Sequence, residues 1–155
     1  MDKIKVLANG YAKKINTGWK ASSTITLIRS NDRNISDIDL VFLTHYYHPD
    51  HAFLASIFKK AIMCDGDTLY IGDRVNEFSK FLPKTSVEAI STPGHANEHA
   101  SLIIKTKKRT VVVAGDLFWW TSEEKQETKF VSQLINKVDP YTKDKKDCRR
   151  VEKLF

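Results

Sequence analysis

The sequence contains few cysteines, and their positions exclude one common kind of metal site. Of the 155 residues only two are cysteine, Cys64 and Cys148, and they stand far apart. A thiolate zinc site uses cysteines at short, regular spacing. Any metal bound by this chain must therefore be held by other side chains. Two cysteines allow one disulfide at most, and the simpler interpretation is a reduced, cytoplasmic protein.

The chain also lacks a long apolar segment. No run approaches the roughly 18 to 20 apolar residues that a membrane-spanning helix needs, and charges interrupt residues 1–8 too often for a secretory signal. We therefore expect no membrane partner and a cytoplasmic location. Hydrophobic residues make up 41% and charged residues 28% of the sequence, which is typical of a globular protein. The absence of repeats, linkers and low-complexity stretches predicts a single domain over residues 1–155.

Acidic residues are fewer than basic ones, and this imbalance bears on the partners of the protein. The formal net charge is +6. A basic surface favours anionic partners, such as nucleic acid or a phosphorylated small molecule.

Apolar patterning predicts a mixed α and β protein. Alternating or short apolar runs predict strands at eight places: 3–8, 22–29, 38–44, 61–63, 68–71, 86–91, 100–106 and 109–114. Helical spacing predicts four helices: 51–61, 73–81, 122–138 and 144–154. An Asp-Gly-Asp turn at 65–67 joins the fourth and fifth strands.

All five histidines fall into two short stretches, and each stretch follows a predicted strand. The first stretch is 45–51 and the second is 95–99. A Gly-Asp pair at 115–116 follows a third strand. Strand ends can direct side chains into a shared cleft. The candidate ligands are His45, His48, Asp50, His51, His95 and Asp116.

These residue types favour a catalytic metal site. Imidazole and carboxylate suit zinc, and also iron or manganese. A catalytic site leaves one position open for water, whose pKa the ion lowers to about 7. Six candidate groups are more than one ion needs, which points to two ions about 3.5 to 4 Å apart.

The order of these motifs resembles that of the metallo-β-lactamase-fold hydrolase superfamily. Its members have His-x-His-x-Asp-His after a strand that ends in Thr, then a His after Pro-Gly, then the Asp of a Gly-Asp. Here the corresponding segments are Thr-His-Tyr-Tyr-His-Pro-Asp-His at 44–51, Pro-Gly-His at 93–95 and Gly-Asp at 115–116. The resemblance covers residues 22–120. It implies a four-layer αββα sandwich with metals at one edge, and an activity such as lactamase, thioesterase, lactonase or nuclease.

The resemblance also implies roles for individual residues. By motif position, His48 and His95 hold a first metal ion. Asp50, His51 and the bridging Asp116 hold a second ion, and Asp50 also orients the attacking water.

Three departures from the family pattern leave alternatives open. The first motif has one residue too many, so either His45 or Tyr46 fills the first ligand position; we favour His45, reached through a bulge at the strand end, because tyrosine is a poor zinc ligand. The Asp-x-Gly loop between the early strands is absent. No histidine follows His99 to serve as the terminal ligand, so His99, a water or a partner subunit would have to replace it.

The leading hypothesis from the sequence is a hydrolase that uses a metal-activated water on a small-molecule substrate or nucleic acid. One alternative is a small basic metallo-nuclease that cuts RNA or DNA. Another is a catalytically degenerate protein that only binds metal, or a subunit that becomes active with a partner or as a homodimer. Trp119 and Trp120 either line a substrate cleft or pack in the core.

Overall fold

The computed structural model describes residues 3–8, 11–22, 25–29, 38–45, 57–120, 124–125, 134 and 137. These residues form eleven strands and one 3-10 turn, Gly115–Leu117. The strands are β1 (Lys3–Ala8), β2 (Tyr11–Ile15), β3 (Gly18–Ser22), β4 (Ile25–Arg29), β5 (Leu40–Leu43), β6 (Ile62–Asp65), β7 (Thr68–Ile71), β8 (Arg74–Glu77), β9 (Glu88–Ser91), β10 (Ala100–Lys105) and β11 (Thr110–Val113).

The strands are arranged in four sheets. The two larger sheets have the strand orders β5-β6-β7-β8 and β11-β10-β9. The smaller ones are the β1-β4 pair and the β2-β3 hairpin. Strands β5 and β6 are parallel, and the other pairs are antiparallel. Four consecutive pairs, β2-β3, β6-β7, β7-β8 and β10-β11, are short hairpins, which a chain with apolar runs separated by turn residues forms readily.

One apolar core draws side chains from both of the larger sheets. Its buried members come from β6, β7, β10 and the 82–87 segment: Cys64, Leu69, Leu82, Val87, Leu102 and Ile104. Alternate side chains of a strand face the same side, so Leu102 and Ile104 of β10 point into this core together. Burial of each stabilises the fold by roughly 1.5 to 3 kcal/mol. The core fixes the sheets and thereby the loops at their edges.

Backbone hydrogen bonds bring several strand ends together. The N–H of Ala100, at the start of β10, donates to the carbonyl of Thr44 just beyond β5 at 2.8 Å. The N–H of Thr92, just beyond β9, donates to the carbonyl of His99 at 2.8 Å. Strand β11 pairs with β10 in the register Leu102↔Val113. The residues that follow β5, β9 and β11 therefore lie at one place.

All eight strands predicted from the sequence are present, but the predicted four-layer αββα sandwich is wrong. Apart from the 3-10 turn, all the secondary-structure elements of the described residues are strands, so the predicted helical layers are not found among them. The clearest error is the helix expected at 73–81, which is instead β8 and a loop. Gly72, at φ 62°, and Asp73 form a two-residue turn that pairs Ile71 with Arg74. A hairpin of this kind needs a positive φ in its turn, which glycine supplies.

The helical spacing at 73–81 also produces no buried face. Val75 is 67% exposed and Phe81 is 50% exposed. Pairing with β7 therefore determines the structure of this segment more than its apolar spacing does.

Other predictions fall wholly or partly outside the described residues. Residues 51–56 of the helix expected at 51–61 lie outside them, and residues 57–61 are turn and coil. The helix predicted at 144–154 and most of the helix predicted at 122–138 also lie outside the described residues. Strands β2 and β3 were not predicted. Within the described ranges, no helix is long and apolar enough to cross a lipid bilayer.

Candidate metal centre

His45 lies just beyond the carboxyl end of β5, and its side chain is fully buried. Its Nδ1 lies 3.1 Å from the hydroxyl of Thr44. An imidazole that binds a metal through Nε2 carries its proton on Nδ1 and donates it to a neighbouring acceptor. The Thr44 hydroxyl is such an acceptor. The local arrangement therefore suits His45 as an Nε2 ligand.

His95 lies in the loop that joins β9 to β10. Thr92 and His99 close this loop through their backbone hydrogen bond, and the N–H of Gly94 donates to the carbonyl of Ala96 at 3.3 Å. The His95 side chain is only 9% exposed. Its ring meets that of His45 edge to face, with the centroids 4.9 Å apart. A compact loop therefore holds the second histidine against the first.

Asp116 lies in the 3-10 turn that follows β11, and its side chain remains 33% exposed. The turn begins at Gly115, whose φ of 60° is costly for any residue with a Cβ. A Cβ on Gly115 would also lie 2.4 Å from Nε2 of His99 and 2.9 Å from Cβ of Thr44. Glycine is therefore required here both by the backbone conformation and by the space available.

Three potential ligand atoms converge in this arrangement. Oδ2 of Asp116 lies 3.8 Å from Nε2 of His45 and 3.9 Å from Nε2 of His95. One ligand atom from each residue lies within 4.8 Å of the other two. Ligand atoms around a tetrahedral zinc lie about 3.3 Å apart, because Zn–N and Zn–O bonds are about 2.0 to 2.2 Å long. Small movements of the side chains would close the three groups around one ion, so the donor set fits a metal.

His99 lies beside this cluster but uses its nitrogens differently. Its side chain is fully buried, and its ring centroid lies 5.3 Å from that of His45. The backbone N–H of Asp116 donates to Nε2 at 3.1 Å, and the hydroxyl of Thr92 lies 2.8 Å from Nδ1. Since both ring nitrogens have protein partners, His99 contacts the turn that carries Asp116 and does not replace the missing terminal ligand in this structure.

Carboxylates collect near the same edge of the sheet. The parallel pairing of β5 and β6 sets Asp65 opposite Leu43, next to the end of β5. Burial raises the pKa of the Asp65 carboxyl; the Tyr70 hydroxyl, which donates to it at 3.1 Å, lowers it, and the charges of Asp67 and Glu98 raise it. The negative charge already present at this edge makes a further anion there unfavourable and a cation favourable.

Trp119 forms one wall of the cluster. Its ring centroid lies 6.2 Å from that of His95, and its indole N–H donates to the carbonyl of Asp116 at 3.2 Å. Trp119 therefore lies next to the three candidate ligands, and its role in lining a substrate cleft stays a prediction. Trp120 instead meets the ring of Phe118, 6.5 Å away between centroids.

The structure therefore brings together three of the six predicted ligands. These are His45, His95 and Asp116. The other three, His48, Asp50 and His51, lie outside the described residues, as does Tyr46, so their roles stay predictions. The sequence indicated no role for Ser101, whose only distinguishing feature is a hydroxyl within the apolar strand β10. Thr92 and Gly115 were noted only as neighbours of the predicted ligands.

Comparison with known proteins shows a relative of this chain. Over 105 residues the chain is 34% identical to a protein of Methanocaldococcus jannaschii named probable metallo-hydrolase. The aligned part is 66% of this chain and 49% of that protein, so the chain spans about half the length of this relative. No family model matches the chain, and no solved structure matches it significantly. At the level of the superfamily the predicted resemblance is confirmed, because this relative is named a metallo-hydrolase.

Proposed function

We propose that this chain is a metal-dependent hydrolase whose ion, most simply zinc, is held by His45, His95 and Asp116. The supporting observation is the convergence of their ligand atoms, from the ends of three different strands, to within 4.8 Å. A bound zinc ion supplies a Lewis acid and a water of pKa about 7. The name of the relative, which contains the word metallo-hydrolase, supports the same class of activity.

The residues around such a site would have different roles. His45 is fully buried and anchors the inner side of the cluster. The Asp116 carboxylate is one-third exposed, so a substrate would approach from its side. Trp119 offers an aromatic surface next to His95 against which a substrate can rest. This arrangement suits attack on a carbonyl or phosphoryl centre held between Asp116 and Trp119.

The remaining predicted ligands extend this proposal to a second ion. His48 would join the first ion, and Asp50 and His51 would hold the second ion together with Asp116. Asp50 would also orient the attacking water. We expect Asp50→Ala to abolish turnover in protein supplied with metal; full turnover by that variant would remove the role proposed for Asp50.

A nuclease is the second candidate, and the charge of the chain favours it. With a net charge of +6, the protein attracts the phosphate backbone of RNA or DNA. Cleavage of nucleic acid that weakens steeply with added salt would support this candidate. Cleavage of small esters, thioesters or lactams without nuclease activity would exclude it.

Metal analysis tests the proposal directly. Protein purified without chelator should contain about one or two ions of zinc, iron or manganese per chain by elemental mass spectrometry. Asp116→Asn should lower this number, because an amide is a weaker ligand than a carboxylate. Asp73→Asn, at the exposed turn between β7 and β8, is the matched control and should keep the wild-type number. Absence of metal even after reconstitution would overturn the proposal.

Activity assays separate the catalytic proposal from its alternatives. Bound metal without turnover on a panel of esters, thioesters, lactams and nucleic acids would support a protein that only binds metal. Turnover that appears only at high protein concentration would support a homodimer, and turnover that needs a second protein would support a partner-dependent subunit.

A further inference from the structure

Both backbone polar groups of Asp116 are held by side chains. Its N–H donates to Nε2 of His99 at 3.1 Å, and its carbonyl accepts the indole N–H of Trp119 at 3.2 Å. The backbone angles at Asp116, φ −93° and ψ 30°, are not helical. Regular helical hydrogen bonding therefore does not fix this residue, and the two side chains do.

The hydrogen bond from Asp116 also determines the protonation of His99. A ring nitrogen that accepts from a backbone N–H carries no proton, so His99 is neutral and its proton is on Nδ1. Nδ1–H then donates to the hydroxyl of Thr92 at 2.8 Å. The side chains of His99 and Thr92 are fully buried, where an incorrectly oriented hydrogen bond is costly.

The direction of the remaining hydrogen bonds follows from this assignment. The hydroxyl of Ser101 donates to the carbonyl of Ala114 at 3.3 Å. The single proton of Ser101 is then in use, so Thr92 donates to Ser101 across their 2.8 Å contact. The series of hydrogen bonds therefore runs from the N–H of Asp116, in the turn, to the carbonyl of Ala114, which directly precedes the turn. We name His99, Thr92 and Ser101 together the Asp116 support.

Close packing reinforces the hydrogen bonds. The Cα of Gly115 lies so near the His99 ring that an added Cβ would approach Nε2 to 2.4 Å. The His99 ring is thus pressed against the turn, and it cannot turn or withdraw without breaking its bond to Asp116.

We propose that the Asp116 support is a positioning network that fixes the Asp116 carboxylate for metal binding. This inference rests on the proposed function. His99 acts through the backbone of Asp116 and is not itself a ligand, so its loss changes the affinity of the site and leaves the number of bound ions unchanged. Removing partners that orient a metal ligand typically weakens metal binding about 10- to 100-fold.

The test compares two substitutions of His99. His99→Gln keeps an oxygen that can accept from Asp116 and an amide that can donate to Thr92. His99→Leu removes both hydrogen bonds and keeps an apolar side chain in the buried space. The dissociation constants for Zn²⁺ and Co²⁺ are measured by competition with a chelator. The visible absorption spectrum of the Co²⁺ protein reports the coordination geometry.

We expect His99→Leu to bind Zn²⁺ about 10- to 100-fold more weakly than wild type, with an altered Co²⁺ spectrum and the same final stoichiometry. His99→Gln should recover most of the affinity and the wild-type spectrum. An affinity of His99→Leu within twofold of wild type, with an unchanged spectrum, would overturn the inference. Loss of one bound ion per chain would also overturn it, because His99 would then be a ligand.

A second pair of variants covers the case in which His99→Leu does not fold. Thr92→Val removes the acceptor of the His99 proton and nearly preserves the volume of the side chain. Thr85→Val is its control, because the Thr85 hydroxyl donates to the carbonyl of Leu82 in another loop. Weakened metal binding in Thr92→Val alone supports the inference, and equal affinities in both variants overturn it. Failure of the wild-type chain to bind any metal would instead refute the proposed function.

Discussion

Replacement of Gly115 by alanine tests how tightly the candidate metal centre is packed. Two separate costs are expected at this position. The φ of 60° is unfavourable for alanine by about 1 to 2 kcal/mol. The added Cβ would lie 2.4 Å from Nε2 of His99 and 2.9 Å from Cβ of Thr44, so at least one of these neighbours must move.

Gly72 provides a control in which only the first cost applies. Its φ is 62°, and nothing lies within 4 Å of an added Cβ. Gly72→Ala should therefore lower the free energy of unfolding by about 1 to 2 kcal/mol. Gly115→Ala should lower it by a further 1 to 3 kcal/mol or so, which is the usual cost of forcing an extra methyl group against closely packed neighbours. Denaturation by urea, followed by tryptophan fluorescence and circular dichroism, measures both values.

Metal affinity adds a second measurement that stability alone does not determine. Displacement of the His99 ring weakens its bond to the N–H of Asp116, so Gly115→Ala should bind Zn²⁺ more weakly than wild type by tenfold or so. Gly72→Ala should bind it as wild type does. Equal losses of stability in the two variants, together with unchanged affinity in Gly115→Ala, would refute the reasoning about this turn.

Three further predictions concern groups around the site and the core. Trp119→Phe keeps an aromatic ring near His95 but removes the indole N–H that donates to the Asp116 carbonyl. The dissociation constant for Zn²⁺, measured by chelator competition, should therefore rise severalfold. An unchanged constant would show that this hydrogen bond is dispensable. Burial, and to a lesser extent the charge of Asp65, raise the pKa of the Cys64 thiol to about 12. In a Cys148→Ser background the folded protein should therefore react slowly with iodoacetamide at pH 8, and the unfolded protein should react quickly. Fast reaction of the folded protein would contradict this prediction. The pKa of Asp65 is raised mainly by burial, so the folded state favours a neutral group at this position. Asp65→Asn should therefore raise the melting temperature at pH 7. A lower melting temperature would mean that the hydrogen bond from Tyr70 stabilises the fold more than burial of the Asp65 charge destabilises it.

The Cys64 thiol also gives the stability of the protein a pH dependence with a definite sign. The pKa of an ordinary cysteine is near 9, and that of Cys64 in the folded protein is about 12. Between these values the unfolded chain loses the proton and the folded chain keeps it. Stability should therefore be fully present below pH 9 and fall above it, with a slope of up to about 1.4 kcal/mol per pH unit from this group. Cys64→Ala should lack this part of the slope, and an identical slope in both proteins would contradict the assignment.

The sequence predicted the described strands well, but the helix predicted at 73–81 is wrong, for a physical reason. Each of the eight predicted strands is a short or alternating apolar run, and several of these runs pair with the next strand across a short turn. The 73–81 segment has apolar residues at helical spacing, yet Gly72 and Asp73 return it along β7 as β8. The spacing of apolar residues within a segment does not show which strand the segment pairs with. Here the adjacent turn determines that partner.

The candidate site was predictable where a ligand follows a strand. His45, His95 and Asp116 each come after an apolar strand, and strands that share a core bring such positions to a common edge. The role of His99 was not predictable in this way. Its spacing to His95 is as suitable for a metal as that of any histidine here, and only the hydrogen bond from Asp116 distinguishes it from a ligand.

That distinction bears on the missing terminal ligand. A chain that uses His99 to orient Asp116 has no described histidine left to complete a second metal site. A second ion would then depend on His48, Asp50 and His51, which the sequence places together after β5, with water in the remaining position. Metal stoichiometry in His51→Ala therefore separates the two arrangements. Loss of one ion from two would show that the second site exists without a terminal histidine, and a constant single ion would show that His51 holds no second ion.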